Sequence, residues 1–291
     1  GKIDMKLNIK KILKQNWYIQ GFNANPLFLN LAGWSGLELW KKLGFGYTSF
    51  IINYQDGYAE YGYVNSDFHS VWTEIKKRLE INTNYLKGVK NRYDKIFAGH
   101  EKEFRQIDLL NFKKVIDKDL ITLFKRCVRA QIDSVGLAHI VDTIGIELEK
   151  ELKIKLAKEF KNQKEINEIF FKITTPSELS FISQEEQELL KLKELTDENR
   201  QKALNNHLKK YFWLQNSYVG PQKLSIKDFN QRLNRLVNNK TRRQKFNKLQ
   251  LINRLNFDQE TRKIIELIDF STIWQDQRKA NILKTVNYLG K

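Results

Sequence analysis

The sequence has 291 residues, of which 41% are hydrophobic, and it carries 51 Lys+Arg against 34 Asp+Glu, a net charge of +17 at pH 7. This apolar content excludes an intrinsically disordered chain. The single cysteine excludes an intramolecular disulfide, no Cys/His cluster has zinc-ligand spacing, and no apolar run reaches the ~20 residues that span a bilayer. The composition predicts a soluble, cytoplasmic protein with no membrane span, no metal site and no cofactor within this chain.

The N-terminal part of the sequence predicts a β-hairpin and a helix. Two β-rich runs, at residues 50–54 and 58–64, flank an Asp-Gly dipeptide at positions 56 and 57. Asp-Gly between two such runs is a strong short-range hairpin signal. Residues 35–43 have a helical pattern, which Gly44 ends at a C-cap position. These elements predict a small α+β unit.

From Asp67 onward the hydrophobic pattern is helical. The predicted fold is therefore mainly α, with residues 1–66 as a small α+β portion and residues 67–291 as a helical domain. Three polar residues are predicted to begin helices: Asp67, Ser183 in a capping box with Glu186, and Ser225. The predicted helices cover residues 68–82, 84–100, two stretches within 109–156 that are loosened near 134–137, a stretch from 184, 197–211, a stretch from 226, and 261–291.

Positive charge is concentrated in two segments. Residues 5–15 form a basic amphipathic pattern, typical of a short surface helix or of a membrane-surface or targeting segment. Residues 222–263 hold 12 Lys+Arg and three acids, which is +9 of the total +17. A cluster of this kind binds phosphates electrostatically, or it is the solvated face of ordinary packed helices. The densest part of this basic patch contains Lys240, Arg242, Arg243 and Lys245.

No catalytic constellation is visible. There is no glycine-rich phosphate loop and no nucleophile elbow, and the four histidines are widely separated in the sequence. His139 and Asp142 have the i, i+3 spacing with which a carboxylate orients an imidazole, but we interpret this histidine as structurally satisfied. Cys127 lies in an apolar helical stripe and is interpreted as a small buried hydrophobe. An enzyme site in the aromatic region 47–63 is a weaker hypothesis, since no nucleophile–base pair supports it.

One segment, residues 207–218, combines polar and aromatic side chains. His207, Lys210 and Tyr211 share one face of a helix, and Trp213 and Tyr218 add large amphipathic surfaces. The segment is either a phosphate- or substrate-facing site or an aromatic hub where helices cross.

This segment also carries a resemblance to a known family. Together with Thr175-Pro176-Ser177-Glu178, the stretch 276–279 and the N-terminal runs 16–18 and 45–47, it resembles phosphoenolpyruvate-synthase-like proteins, the "PEP-utilising enzyme, mobile domain" group. The similar region is their helical part, upstream of the swivelling phosphohistidine domain.

The resemblance implies a helical scaffold that is not catalytic alone. The family's phosphohistidine motif, Thr/Ser-Gly-Gly-x-x-Ser-His, precedes none of the four histidines, so no catalytic residue is carried over. The expected partners are a phosphorylated small molecule or a phosphohistidine domain, which we expect in a continuation of the natural chain past Lys291. The alternative is a basic helical nucleic-acid-binding module. The ligand-facing residues under the first hypothesis are His207, Lys210, Tyr211, Trp213, Tyr218, Arg278 and Lys279.

Overall fold

The computed structural model describes residues 14–238 and 247–291. It is mainly helical, with a small three-stranded antiparallel sheet near the N-terminus. The basic pattern at 5–15 lies almost entirely outside the described residues, and the patch of Lys240, Arg242, Arg243 and Lys245 lies wholly outside them. The elements are β1 Trp17–Asn23, α1 Pro26–Leu43, β2 Phe50–Gln55, β3 Tyr58–Val64, α2 Asn65–Ile81, α3 Tyr85–Asp108, α4 Asp117–Val135, α5 Ile140–Glu159, α6 Gln163–Thr174, α7 Phe181–Lys191, α8 Asp197–Tyr211, α9 Ile226–Asn238, α10 Lys248–Arg254 and α11 Gln259–Leu289.

The predicted hairpin is confirmed. Strands β2 and β3 pair through Phe50 opposite Tyr63, and β1 pairs on the other side of β3, giving the order β1-β3-β2. Asp56 and Gly57 both have positive φ, +49° and +86°. This is the geometry of a two-residue turn that matches strand twist, and it explains why Asp-Gly occupies these positions.

Helix α1 ends at Gly44 as predicted, with φ +79°. It begins at Pro26 rather than at residue 35, because the Asn25 side chain caps it by accepting a hydrogen bond from the backbone N–H of Phe28 (2.7 Å). Proline at the first helical position favours the same start. Helices α8 and α11 match their predicted ranges closely, and the loosened stretch near Gly136 is a 3₁₀ turn between α4 and α5.

Two of the predicted caps are wrong. Helix α2 begins at Asn65, and the carboxylate of Asp67 instead accepts hydrogen bonds from the N–H (2.7 Å) and hydroxyl (3.0 Å) of Thr48, so a tertiary contact replaces the local cap. Helix α7 begins at Phe181, since Ser180 is its cap and accepts the N–H of Ser183 (3.2 Å). The predicted Ser225 cap is confirmed by the N–H of Asp228, which donates to the Ser225 hydroxyl (3.4 Å).

The main hydrophobic core lies between the sheet and helices α1, α2, α3, α5, α6, α10 and α11. Trp274 on α11 is fully buried and meets Tyr93 of α3 edge to face. Tyr47, Tyr61 and Tyr63 from the sheet region belong to the same core. The N-terminal α+β portion and the helices therefore share one core.

A second, smaller core is built by α7, α8 and α9. Phe181, Leu189 and Phe229 are buried there, and Ala280 and Leu283 of α11 attach it to the main body. Among the described residues, no helix combines the length and the apolar composition needed to cross a bilayer.

Candidate functional site

A cleft of about 660 Å³ at the boundary between the two cores contains several of the predicted residues and is the candidate binding site. Its walls are α3 and α11 on one side and the N-terminus of α7 with the C-terminus of α8 on the other. Lys90, Asp94, Lys210, Asp276 and Lys284 are among the residues that line it. A boundary between two packed units is a common place for ligands to bind.

Each lysine of the cleft already has a carboxylate partner. Lys90 pairs with Asp94 (2.8 Å), and Lys284 pairs with Glu101 (2.8 Å). Lys210 pairs with Glu188 (2.7 Å), and this hydrogen bond raises the pKa of Lys210. An incoming phosphate must compete with these carboxylates, so the cleft is polar and balanced in charge rather than strongly positive.

Asp276 is the carboxylate of the cleft that ties the two cores together. Its Oδ2 accepts the backbone N–H of Phe181 at the start of α7 (2.7 Å). Burial raises the pKa of Asp276, while the hydrogen bond from Phe181 and the charge of Lys279 act in the opposite direction. The contact fixes the N-terminus of α7 against α11 and so sets the shape of the cleft.

Three of the seven predicted ligand-facing residues line the cleft: Lys210, Tyr211 and Trp213. The indole of Trp213 is buried, its Nε1 donates to the backbone oxygen of Lys210 (3.0 Å), and Lys284 Nζ lies 5.6 Å from the ring centroid. Lys279 is exposed one residue after Arg278, on the helix that forms one wall. Lys210 and Lys279 are therefore the exposed lysines among the predicted residues, and Lys210 is the one that lines the cleft.

His207 lies in the second core and does not line the cleft. Its Nε2 is 3.0 Å from Oε1 of Glu185, a fully buried carboxylate that also accepts a hydrogen bond from Nε of Arg232 (2.8 Å). The imidazole packs against Tyr211 and edge-on against Phe229. These contacts agree with the aromatic-hub interpretation of the segment, because every polar atom of Glu185 is engaged inside the protein.

Substitutions at His207 and Lys210 are expected to separate these two roles. His207→Ala removes a partner of a fully buried carboxylate and should lower the free energy of unfolding by about 1–3 kcal/mol. Lys210→Ala breaks an exposed ion pair and a contact of the ammonium with the Tyr211 ring (5.0 Å), and should cost less than about 1 kcal/mol. Chemical denaturation of the two variants beside the wild type measures both values. Equal losses would contradict the assignment of His207 to the core.

Arg278 belongs to a different buried polar cluster, here called the Asp142 centre. Its partner there, Asp142, is 136 residues away in the sequence. Its guanidinium makes a bidentate ion pair with Asp142 (2.7 and 2.8 Å) and donates to the backbone oxygen of Ala138 (3.3 Å). Burial alone would raise the pKa of Asp142, but Arg278 and His139 outweigh it and lower that pKa. The pair joins α11 to α5 and is turned away from the cleft.

His139 lies between Ser35 and Asp142, and the three residues have the order of groups found in a Ser-His-Asp catalytic triad. Nε2 of His139 lies 2.9 Å from Oγ of Ser35, and Nδ1 lies 3.7 Å from Asp142 and 3.1 Å from the hydroxyl of Tyr63. The Ser35 hydroxyl, however, donates to the backbone oxygen of Ala32 (2.6 Å) and is fully buried. Its proton is directed away from the imidazole and no substrate reaches its oxygen, so the arrangement is structural.

Tyr47 extends the same centre. Its hydroxyl donates to the backbone oxygen of His139 (2.9 Å) and lies 2.8 Å from the hydroxyl of Thr143. Burial raises the pKa of Tyr47 and lowers the pKa of His139, so both groups are neutral at pH 7. The i, i+3 spacing of His139 and Asp142 was the sequence signal for this centre. The interpretation of His139 as a satisfied histidine agrees with its partners.

Tyr218 lies far from His207, beside the sheet. Its ring stacks on Phe28 with centroids 4.4 Å apart and meets Phe22 edge to face. Its backbone oxygen accepts the N–H of Asn25, the residue that caps α1 (3.0 Å). Tyr218 therefore anchors the loop after α8 to the start of α1.

A third polar cluster joins α1 to α4 and α3. Arg129 makes a bidentate contact with Glu38 (2.7 and 3.2 Å) and also pairs with Asp133. Lys42 bridges the same two carboxylates, and His100 lies 3.0 Å from Asp133. Two of its pairs, Glu38–Lys42 and Arg129–Asp133, have the i, i+4 spacing of a helix face. The contacts that join the three helices come from distant positions, so the network is not predicted from the sequence.

An exposed apolar surface, here called the 109–124 surface, covers the α3–α4 connection and the first half of α4. Its large hydrophobic side chains are Leu109, Leu110, Phe112, Ile116, Leu120, Ile121 and Phe124. A group of exposed apolar side chains marks a site of protein contact more often than isolated ones do, and these seven lie within 16 consecutive positions. Cys127, one turn further along α4, is buried as predicted.

In the part of the chain that the structure describes, no group of three or more His, Cys, Asp and Glu side chains is placed to hold a metal ion. No protein-family model, curated protein or solved structure matches this chain.

Proposed function

We propose that this chain is the non-catalytic helical scaffold of a PEP-synthase-like phosphotransferase, and that it holds an acidic, phosphoryl-carrying domain on the 109–124 surface. The observation that carries the proposal is this surface. Seven large apolar side chains exposed within 16 consecutive positions favour a partner that covers them. The family in this proposal comes from the resemblance of the segments around residues 175–181, 207–218 and 276–279 to PEP-synthase-like proteins.

The charges around the surface favour a negatively charged partner. Over residues 108–126 the exposed cations are Lys113, Lys114, Lys118, Lys125 and Arg126, against the three exposed acids Asp108, Asp117 and Asp119. Basic residues around an apolar centre steer an acidic partner and fix its orientation. A domain that carries a phosphoryl group, with a charge of about −1.5 to −2 at pH 7, has the complementary sign.

The polar clusters of the body fit a scaffold role. The centres around Glu185, Asp142 and Asp133 are each paired internally, and each joins helices that are distant in sequence. They hold the helices in place and offer no free nucleophile or base to a substrate. In this proposal the phosphorylated small molecule binds in the cleft beside Lys210. Its phosphate then replaces the Glu188 carboxylate as the partner of that lysine.

Binding of an isolated phosphohistidine domain from a PEP-synthase-like protein tests the proposal. Calorimetric titration of the wild-type chain should give saturable binding, and Phe124→Lys should weaken it at least about tenfold, as expected for a central apolar anchor. Phe171→Lys is the matched control, since Phe171 is exposed on α6, away from the surface. Absence of binding, or equal weakening by both variants, would contradict the proposal.

The nucleic-acid alternative is tested with the same protein and single- and double-stranded DNA and RNA at low salt. It predicts a steep loss of affinity with salt, close to one unit of log–log slope per neutralised phosphate. Several basic residues of the segment 222–263 already serve the fold: Arg232 pairs with Glu185, and Lys248 pairs with Asp269 (2.9 Å). Steep, salt-sensitive binding to nucleic acid without binding of the phosphohistidine domain would replace the scaffold proposal with this alternative.

A further inference from the structure

A second apolar surface lies on the opposite side of α1 from its buried face. Leu29, Leu31 and Leu39 of α1 are buried, but Leu27, Trp34 and Leu37 are exposed. Trp34 and Leu37, together with Tyr54 on β2, line a shallow groove of about 440 Å³ between the helix and the strand. Leu27 does not line the groove, but it lies two helical turns before Trp34 on the same side of α1. We call Leu27, Trp34, Leu37, Tyr54 and the groove the α1–β2 face.

Strand β2 is an edge strand that lacks the usual protection against pairing. Within the described sheet it pairs only with β3. Its sequence, Phe50 to Gln55, contains no charged residue and no proline. Natural edge strands are normally blocked by lysine, proline or a bulge, because their unpaired backbone groups accept a further strand. Strand β2 is therefore open to strand addition beside an apolar groove.

We propose that the α1–β2 face is the interface between two copies of this chain, in which the two β2 strands pair antiparallel about a two-fold axis. The three-stranded sheets then form one six-stranded sheet, and the two α1 helices lie side by side on the same face of it. Trp34 of each copy contributes to covering the groove of the other. A two-fold arrangement is closed, so the β2 edges of both copies are used and no further copy pairs at β2.

The absence of charge at the α1–β2 face favours a second copy of this chain as the partner that binds there. The chain carries a net charge of +17, so most approaches between copies are repulsive. No Asp, Glu, Lys or Arg lines the groove, and β2 is uncharged. Two copies can therefore meet at this face without opposing like charges. The 109–124 surface has several exposed cations and favours an acidic partner instead.

The exposed area is also of the right size. Trp34 and Tyr54 are 54% and 42% exposed, and Leu27 and Leu37 are 42% and 40% exposed. With aromatic side chains of about 150–250 Å² each, the face offers on the order of 400 Å² of apolar surface. A standard interface buries about 800 Å² per partner, of which roughly 57% is apolar, or about 450 Å². The paired β2 backbones supply the polar remainder.

Sedimentation equilibrium of the 291-residue chain from about 1 to 100 μM tests the proposal. We expect a monomer–dimer equilibrium, and we expect the double variant Trp34→Lys/Tyr54→Lys to raise the dimer Kd at least tenfold. Phe171→Lys places the same charge on an unrelated exposed position and should leave the Kd unchanged. Far-ultraviolet circular dichroism verifies that each variant is folded. A wild type that is monomeric throughout, or a dimer that the double variant does not weaken, overturns the proposal.

A second measurement locates the interface without altering the apolar face. Asn53 is exposed in the middle of β2, and the natural Cys127 is buried. A nitroxide label on Asn53→Cys should give a short, narrow distance between the labels of the two copies, because paired strands lie about 4.8 Å apart. Dimers in which the labels are far apart, or show no defined distance, would place the interface elsewhere and overturn the proposal.

Discussion

Replacing Arg278 with alanine is expected to lower the free energy of unfolding by about 3–5 kcal/mol, the usual cost of removing one partner from a buried ion pair. Arg278 is nearly buried and donates two guanidinium hydrogen bonds to Asp142, at 2.7 and 2.8 Å. Without it, Asp142 keeps only the longer contacts with His139 (3.7 Å) and Gln275 (3.4 Å). Its negative charge then stays inside the protein without adequate compensation.

Urea denaturation at pH 7 measures this loss, and the neighbouring lysine provides the control. Lys279→Ala removes an exposed cation from the same helix and should change the free energy of unfolding by no more than about 0.5 kcal/mol. Arg278→Lys keeps the charge but cannot make the bidentate contact, so its loss should be intermediate. A loss below about 1 kcal/mol for Arg278→Ala would mean that water already compensates the Asp142 charge.

If Arg278 stabilises the fold in this way, its substitution is not a test of ligand binding. The predicted resemblance of the stretch 276–279 to PEP-synthase-like proteins places the adjacent residues Arg278 and Lys279 together in the ligand-facing set. In the folded chain they have different environments: Arg278 faces α5, whereas Lys279 is exposed. A loss of function after substitution of Arg278 or His207 would report on stability, so Lys210 and Lys279 are the positions that can report on a ligand.

Local signals predicted the parts of the fold that depend on neighbouring residues. The Asp56-Gly57 turn and the Gly44 end of α1 require positive φ, which few residue types adopt easily, so their sequence signals are direct. The caps at Asp67 and Ser183 failed for the opposite reason. Several polar residues stand near each helix start, and tertiary partners such as Thr48 decide which of them is used.

The candidate site was only partly predictable, because its groups come from distant positions. His207 and Glu185 are 22 residues apart, and Arg278 and Asp142 are 136 apart. The polar–aromatic composition of 207–218 marked a real meeting point of helices, but the same composition serves a core and a ligand site equally well. The 109–124 surface has a periodic apolar pattern identical to that of a packed helix, so exposure could not be deduced from the sequence.

Acid is expected to destabilise the protein through the cluster that joins α1 to α4. Burial alone would raise the pKa of Glu38, but Arg129, Lys42 and Lys41 outweigh it and hold this pKa at about 2, below the ordinary 4.5. Asp133 also has a lowered pKa, through His100, Arg129 and Lys42, which outweigh its burial. A carboxylate with a lowered folded-state pKa stabilises the protein above its unfolded pKa, and this contribution disappears as the pH falls.

The stability lost between pH 5 and pH 2 should therefore contain a contribution from Glu38 that Glu38→Gln removes. A shift from 4.5 to about 2 corresponds to roughly 3 kcal/mol at 1.36 kcal/mol per pKa unit. Because Arg129 is 44% exposed, screening reduces the expected contribution to about 2 kcal/mol.

Urea denaturation at several pH values should show Glu38→Gln less stable than the wild type at pH 7, with the two curves converging towards pH 2. Glu60→Gln, on the exposed side of β3, is the control and should keep the wild-type pH dependence. Parallel curves for Glu38→Gln and the wild type would show that Glu38 does not gain its stability from its charge, and the network would then act through packing alone.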